Sequence, residues 1–234
     1  MPSRTSLSVT WLGHGTFELL SPAGKRIVID PWLDQNPSCP AHRKKIERAD
    51  LILATHGHFD HIGDLVPVAR ATGAKVIGIF ELCAWLGHKG VQNTSPMNIG
   101  GSQRVGDITI TMTPAVHSSA FIDEGRPVYL GEAAGFVIRF EDGLTAYFAG
   151  DTALFGDMRL IKDMHKPAIA FLPIGDHFTM GPEGAARAAG LLGVHQVVPM
   201  HYGTFPVLTG TPARLKELLP KVDVLELKPG ETAR

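Results

Sequence analysis

Ala54-Thr55-His56-Gly57-His58-Phe59-Asp60-His61 closes the apolar run 51–54 and places three imidazoles and a carboxylate within six residues. A strand that ends here leaves these side chains on the loop at its carboxyl end. The spacing differs from His-Glu-x-x-His, in which two histidines share one face of a helix. It suits an irregular loop that wraps cations, with His56 and His58 to one side and Asp60 and His61 to the other. Imidazole and carboxylate together are what zinc, manganese, iron or nickel accept. At this chain's His content, such a pattern arises by chance about once in 10³ chains of this length, so it is a hypothesis worth pursuing. Four ligands on one loop cannot complete two metal spheres, so the remainder must come from elsewhere in the sequence.

The 234 residues suffice for one substantial domain, and the expectation is a single domain over 1–234. With 44 % apolar and 19 % charged residues the chain has the composition of a well-cored globular protein. A net charge of −1 offers no general polyanion-binding surface, so nucleic acid is not the expected partner. Cys39 and Cys83 lack metal-pair spacing and read as free thiols of a reducing compartment. Residues 1–13 lack a basic-then-apolar leader, and no apolar run reaches membrane-spanning length. A cytoplasmic protein acting on a small molecule is expected, with homo-oligomerisation left open.

Along the chain, 7–12 and 16–20 read as strands joined at Gly13-His14-Gly15, with His14 at the tip of the turn. Residues 26–29 form a strand ending at Asp30-Pro31, ordinary turn chemistry that makes Asp30 a turn or supporting residue rather than a ligand. Residues 62–72 have helical apolar spacing closed by Gly73. A strand over 75–79, a short helix over 81–87 and an alternating strand over 108–113 lead to Val116-His117. Residues 118–132 show no period and read as a loop, a candidate lid or substrate wall. A hairpin over 135–148 ends at Gly150-Asp151, the run 168–172 at Gly175-Asp176-His177, and the strand 195–200 at His201. Helices are expected over 182–192 and, opened by Thr211-Pro212, to residue 219.

His56, His117, Asp151, His177 and His201 therefore all stand just past apolar β-runs. In layered α/β architectures the strand ends of one edge are where sites assemble from distant sequence. One such histidine is more often packed than functional; four with an aspartate in one chain point to a site.

His56-x-His58-x-Asp60-His61, followed in order by His117, Asp151 and His201, resembles the metallo-β-lactamase superfamily over essentially the whole chain. Trp11-Leu12-Gly13-His14-Gly15-Thr16, Ile29-Asp30-Pro31 and residues 175–182 resemble its small metal-dependent hydrolase branch, related to ascorbate-6-phosphate lactonase and to N-acyl-phosphatidylethanolamine phospholipase D. The resemblance implies the α/β class and a four-layer αββα sandwich with the site along one edge. It also implies two divalent ions, zinc first and manganese, iron or nickel as alternatives. His56, His58 and His117 would hold one, Asp60, His61 and His201 the other, and Asp151 would bridge them. A pair of metals so held lowers the pKa of water to about 7 and supplies a hydroxide without a serine or cysteine nucleophile. His61, with no cysteine ligand, points away from antibiotic hydrolysis, and the lack of a long basic arm disfavours a nuclease. The expected reaction is hydrolysis of an ester or lactone, with an anionic group on the substrate as one option. A phosphodiesterase is the alternative, and a non-catalytic metal-binding protein a more distant one. Asp60 and His177 are the catalytic candidates, and His14 and His177 the substrate-binding ones.

Overall fold

The computed structural model describes residues 7–234, and the leader-free reading of the amino terminus falls partly on the first six residues, outside that range. The described residues form two compact units, each woven from separated segments: 7–98, 118–132 and 227–234 in the first, 99–117 and 133–226 in the second.

The first unit opens with the antiparallel pair β1 (Ser8–Gly13) and β2 (Thr16–Leu20), then β3 (Arg26–Ile29) and β4 (Leu51–Leu53). It continues through α1 (Phe59–Ile62), α2 (Leu65–Thr72), β5 (Lys75–Ile79), α3 (Phe80–His88) and β6 (Thr94–Met97). The second unit then takes β7 (Ser102–Val105) and β8 (Ile108–Pro114). Strands β9 (Ala120–Asp123) and β10 (Arg126–Tyr129) belong again to the first. The second is completed by β11 (Ala134–Arg139), β12 (Thr145–Phe148), α4 (Met158–His165), β13 (Ile169–Pro173), α5 (Pro182–Leu192), β14 (Gln196–Met200), α6 (Pro212–Leu218) and β15 (Asp223–Val224). The closing strand β16 (Thr232–Ala233) returns to the first unit.

Each unit is built on a seven-stranded sheet, ordered β16-β1-β2-β3-β4-β5-β6 in the first and β15-β14-β13-β12-β11-β8-β7 in the second. In the first, β3 through β6 run parallel, with Ile29 opposite Leu53 and Leu53 opposite Ile77. Parallel strands are covered on both faces, which is why 51–53 is apolar without alternation and wholly buried. In the second, β12 through β15 run parallel, and Phe136, Tyr147, Phe148 and Phe171 fill its core. Each such side chain, buried, contributes on the order of 1.5–3 kcal/mol.

The helix signals act as their chemistry requires. Gly73 and Gly193 close α2 and α5 in the left-handed region, and Pro182 opens α5 at its first turn. Thr211 Oγ1 accepts from the amide of Arg214 at the start of α6. Cys39 and Cys83 are both free and buried, and burial pushes the Cys83 thiol up to about 11.

Two expectations need correction. The helix over 62–72 is broken at Gly63-Asp64, because the Asp64 carboxylate accepts from the amides of Leu33 and Asp34 and so anchors the loop after β3. Residues 118–132 are not a loop but carry the β9–β10 hairpin, turned at Glu124 and Gly125, both with positive φ. No helix among the described residues is long and apolar enough to cross a membrane.

Candidate metal centre

In the first unit the parallel strands β3 and β4 end side by side, which delivers Asp30 and Thr55-His56 to the same edge. Ligand crevices form at such carboxyl ends. Asp30 is fully buried in the left-handed region (φ 48°), and its carboxylate is a hub of three bonds. The Thr55 amide donates to Oδ1 at 2.8 Å, the Thr55 hydroxyl to Oδ2 at 2.6 Å, and His61 Nδ1 stands 2.8 Å from Oδ2. Burial pushes the Asp30 carboxyl upward, while the His61 contact and the Thr55 bonds pull it down.

This hub sets the tautomers of two histidines. The Thr55 hydroxyl has one proton and spends it on Asp30, so at 2.9 Å it accepts from His56 Nδ1. His61 likewise donates from Nδ1 to Asp30. Both rings therefore hold their Nε2 lone pairs for another partner, the form in which imidazole ligates a metal. One ligating atom from each of Asp30, His56 and His61 lies within 4.8 Å of the others, and the His56 and His61 ring centres are 4.2 Å apart. His56 Nε2 is 3.0 Å from His58 Nδ1, and His58 Nε2 is 3.2 Å from Ser118 Oγ.

His14, at the β1–β2 turn, is fully buried with φ 56°, and its Nε2 stands 3.0 Å from Asp60 Oδ2. Trp11 Nε1 donates to the His14 carbonyl and fixes the turn. A side chain at Gly15 would collide with the His61 ring, so that turn packs on the motif only because residue 15 is glycine. His14, a candidate for substrate binding, also lies edge-on to Trp32 at 5.2 Å and to His61 at 5.7 Å.

In the second unit Asp151, Asp176-His177 and His201 follow the parallel strands β12, β13 and β14. The end of β8, which leads to His117, pairs with the start of β11, beside the end of β12. Asp151 and His201 are buried, with His201 Nε2 2.9 Å and His117 Nε2 3.6 Å from Asp151 Oδ2. Thr152 holds the two segments in place: its hydroxyl accepts from the Val116 amide at 2.9 Å, and the Ala153 amide donates to the Val116 carbonyl. His177 is exposed, edge-on to Phe178 with ring centres 4.5 Å apart.

Seven described non-glycine residues have positive φ. Glu124 and Lys166 are turn and helix-end positions, and the other five are His14, Asp30, Asp176, His177 and His201. Such conformations cost on the order of 1–3 kcal/mol each and persist where function requires the geometry. Gly175 has a related task, because a Cβ there would strike the carbonyl oxygen of His201. Gly175→Ala is expected to destabilise the fold by about 1–3 kcal/mol and to displace His201. A thermal melt unchanged from the parent would contradict that.

The donor sets of both units, histidine nitrogens and carboxylate oxygens converging at short distance under burial, fit a divalent transition metal. Residues 25–202 match the Beta-lactamase superfamily domain family. A protein of Koribacter versatilis described as a UPF0173 metal-dependent hydrolase is 52 % identical over 226 residues, covering 97 % of each chain. The chain belongs to this hydrolase family. A second UPF0173 metal-dependent hydrolase, from Solibacter usitatus, is 51 % identical over 96 % of the chain and 98 % of its own length. Among solved structures, Igni18, a metallo hydrolase from Ignicoccus hospitalis, superposes with a TM-score of 0.86 at 37 % identity, covering 98 % of each chain. The metal-dependent hydrolase thus has the metallo-β-lactamase fold, in agreement with the α/β class read from its sequence. Thr55, Ser118 and Ser119, like Thr152, contact candidate site residues or their neighbours and were missed by the sequence reading. Ser119 Oγ accepts from the Gly57 amide, and only adjacence to the motif, to His117 or to Asp151 could have signalled any of the four.

Proposed function

We propose that the hydrolase holds two divalent metals, zinc first, and cleaves an ester or lactone of a small molecule. His56, His58 and His117 hold one ion in this reading, Asp60, His61 and His201 the other, and Asp151 is shared. The observation that carries it is the Asp30–Thr55 hub, which leaves the Nε2 atoms of His56 and His61 as acceptors. A protein with no metal to bind has no need of two buried imidazoles fixed in that tautomer.

When bound, the metals supply an activated water near neutral pH and positive charge for the developing oxyanion. His14 keeps Asp60 in one orientation, and Thr152 holds the His117 and Asp151 segments together. His177, exposed on a strained turn after β13, is free to meet substrate and to donate a proton to the leaving group. The whole chain acts as one domain in this proposal, and two free cysteines suit a cytoplasmic setting.

The test compares metal-loaded and chelated protein on aryl esters, lactones and bis-aryl phosphates. Ester or lactone cleavage lost on chelation and restored by zinc is the expected result. Equal rates with and without metal, or cleavage of phosphodiesters alone, would overturn the proposal. His177→Ala is expected to retain metal and melting temperature while kcat/KM on the cleaved substrate falls about 10²-fold. His177→Asn recovers much of that loss if the imidazole only hydrogen-bonds. Metal loss in the alanine variant would instead make His177 a ligand or the support of one.

A further inference from the structure

Phe59 stands between His58 and Asp60 and leaves 54 % of its surface exposed. A lone exposed phenylalanine is unremarkable, but this one forms a wall of a cleft of about 300 Å³ within the first unit. Trp32 and Phe121 are further walls, with Gly63 beside them on the α1 side. The rings of Trp32 and Phe59 meet edge to face at 5.7 Å, and Trp32 also lies edge-on to His14 at 5.2 Å. Through His14, the ring bounding the cleft is in contact with the residue that orients Asp60.

The β9–β10 hairpin that supplies Phe121 is tied down at both ends. At its base Ser119 Oγ accepts from the Gly57 amide inside the histidine motif. At its tip the Asp123 carboxylate accepts from Trp85 Nε1 at 2.9 Å and from Lys89 Nζ at 2.8 Å, while Phe121 packs on Trp85. Phe121 is thus held at a fixed place beside the motif. Charge decides what such a cleft accepts. Its charged lining residues are Asp34 and Asp64, and it has no Lys, Arg or His. The basic side chains Arg26, Arg43, Lys45 and Arg48 collect around a separate cavity of the same unit. A phosphate or carboxylate entering the aromatic cleft would face these two carboxylates, while the nearby Lys44 ammonium is engaged by the Asp34 carbonyl. In the second unit, too, exposed apolar residues adjoin proposed site residues: Val116 precedes His117 and Phe178 follows His177.

We propose that the Trp32–Phe59–Phe121 cleft binds an uncharged apolar group of the substrate, an acyl chain or aryl ring, so that the hydrolase prefers apolar esters to anionic ones. This rests on the ester-hydrolase reading above and replaces its anionic option with a neutral one. Three aromatic rings line this cleft beside Asp34, Gln35 and Asp64, and apolar walls with a few placed polar groups are the usual make-up of a small-molecule site.

The test pairs binding with turnover. Calorimetry on the metal-loaded protein would use octanamide, acetamide and the carboxylate-ended suberamic acid. Octanamide is expected to bind at least tenfold more tightly than either of the others. Phe121→Ala should weaken octanamide at least tenfold, whereas Phe121→Leu, which keeps an apolar wall, should lose less. Asp34→Lys, an exposed change that does not depend on refilling the cleft, should tighten suberamic acid several-fold. Across 4-nitrophenyl esters from acetate to hexanoate, kcat/KM should rise about fourfold per methylene, and Phe59→Ala should lower the hexanoate-to-acetate ratio. Suberamic acid binding as well as octanamide, or octanamide affinity indifferent to Phe121→Ala, would overturn the cleft assignment. Octanamide binding as expected with no ester cleaved would sink the esterase reading and leave the cleft standing. Ester cleavage indifferent to chain length, with no octanamide binding, would do the reverse.

Discussion

Asp151→Ala is expected to lower kcat/KM about 10³-fold or more and to remove at least one metal per chain. The carboxylate is buried with His201 Nε2 at 2.9 Å and His117 Nε2 at 3.6 Å, so both imidazoles converge on one oxygen. In the proposed binuclear centre Asp151 would be the shared anion, and charge stabilisation by metals is worth several kcal/mol in the transition state. Asp151→Asn, similar in shape but uncharged, should fail almost as badly, which separates charge from packing. Metal analysis and single-substrate kinetics on the three proteins check this. Turnover within tenfold of the parent in the alanine variant would remove Asp151 from the centre.

Asp30→Ala should be nearly as damaging by another route. The change strands three buried donors, the Thr55 amide, the Thr55 hydroxyl and His61 Nδ1. Each buried group left unsatisfied costs about 1–3 kcal/mol, so a loss of at least about 3 kcal/mol is expected. For a chain of this size that corresponds to a melting temperature lower by roughly 6–12 °C. Removing the groups that orient metal-binding histidines typically weakens metal affinity 10–100-fold, and the same is expected here. Asp30→Asn should rescue only partly, because its amide NH₂ faces donors that need an acceptor. Differential scanning calorimetry with a competitive chelator titration measures both effects. A variant that melts within 2 °C of the parent and binds metal normally would show the hub to be incidental.

Several of the candidate residues were legible in the sequence because parallel strands place them, although His117 follows β8, which pairs antiparallel with both its neighbours. Runs such as 51–53 and 197–200 are apolar throughout because both faces are covered, and a polar stretch follows each, so His56 and His201 stand out. The β9–β10 hairpin was not legible, since its turn is Glu124-Gly125 rather than the Asn-Gly or Asp-Gly pair that marks tight hairpins. The break between α1 and α2 was hidden by a continuous apolar stripe through Ile62, Leu65, Val66 and Ala69. Only the tertiary bonds of Asp64 to the loop after β3 interrupt it. Strand β6 carries Pro96, which tolerates only an edge position and masks the strand signal. Strand β16 is two residues long, and what places it is its pairing with β1, where Thr10 and Thr232 hydroxyls meet at 2.8 Å across 222 positions. The role of Thr55 was equally silent, because a hydroxyl beside a histidine has no spacing signature until Asp30 is seen behind it.

Metal stoichiometry tests the binuclear proposal most directly. Protein purified gently from metal-supplemented medium should give, by elemental analysis against amino-acid quantitation, close to two transition-metal ions per chain. One ion or fewer per chain under the same conditions would contradict it.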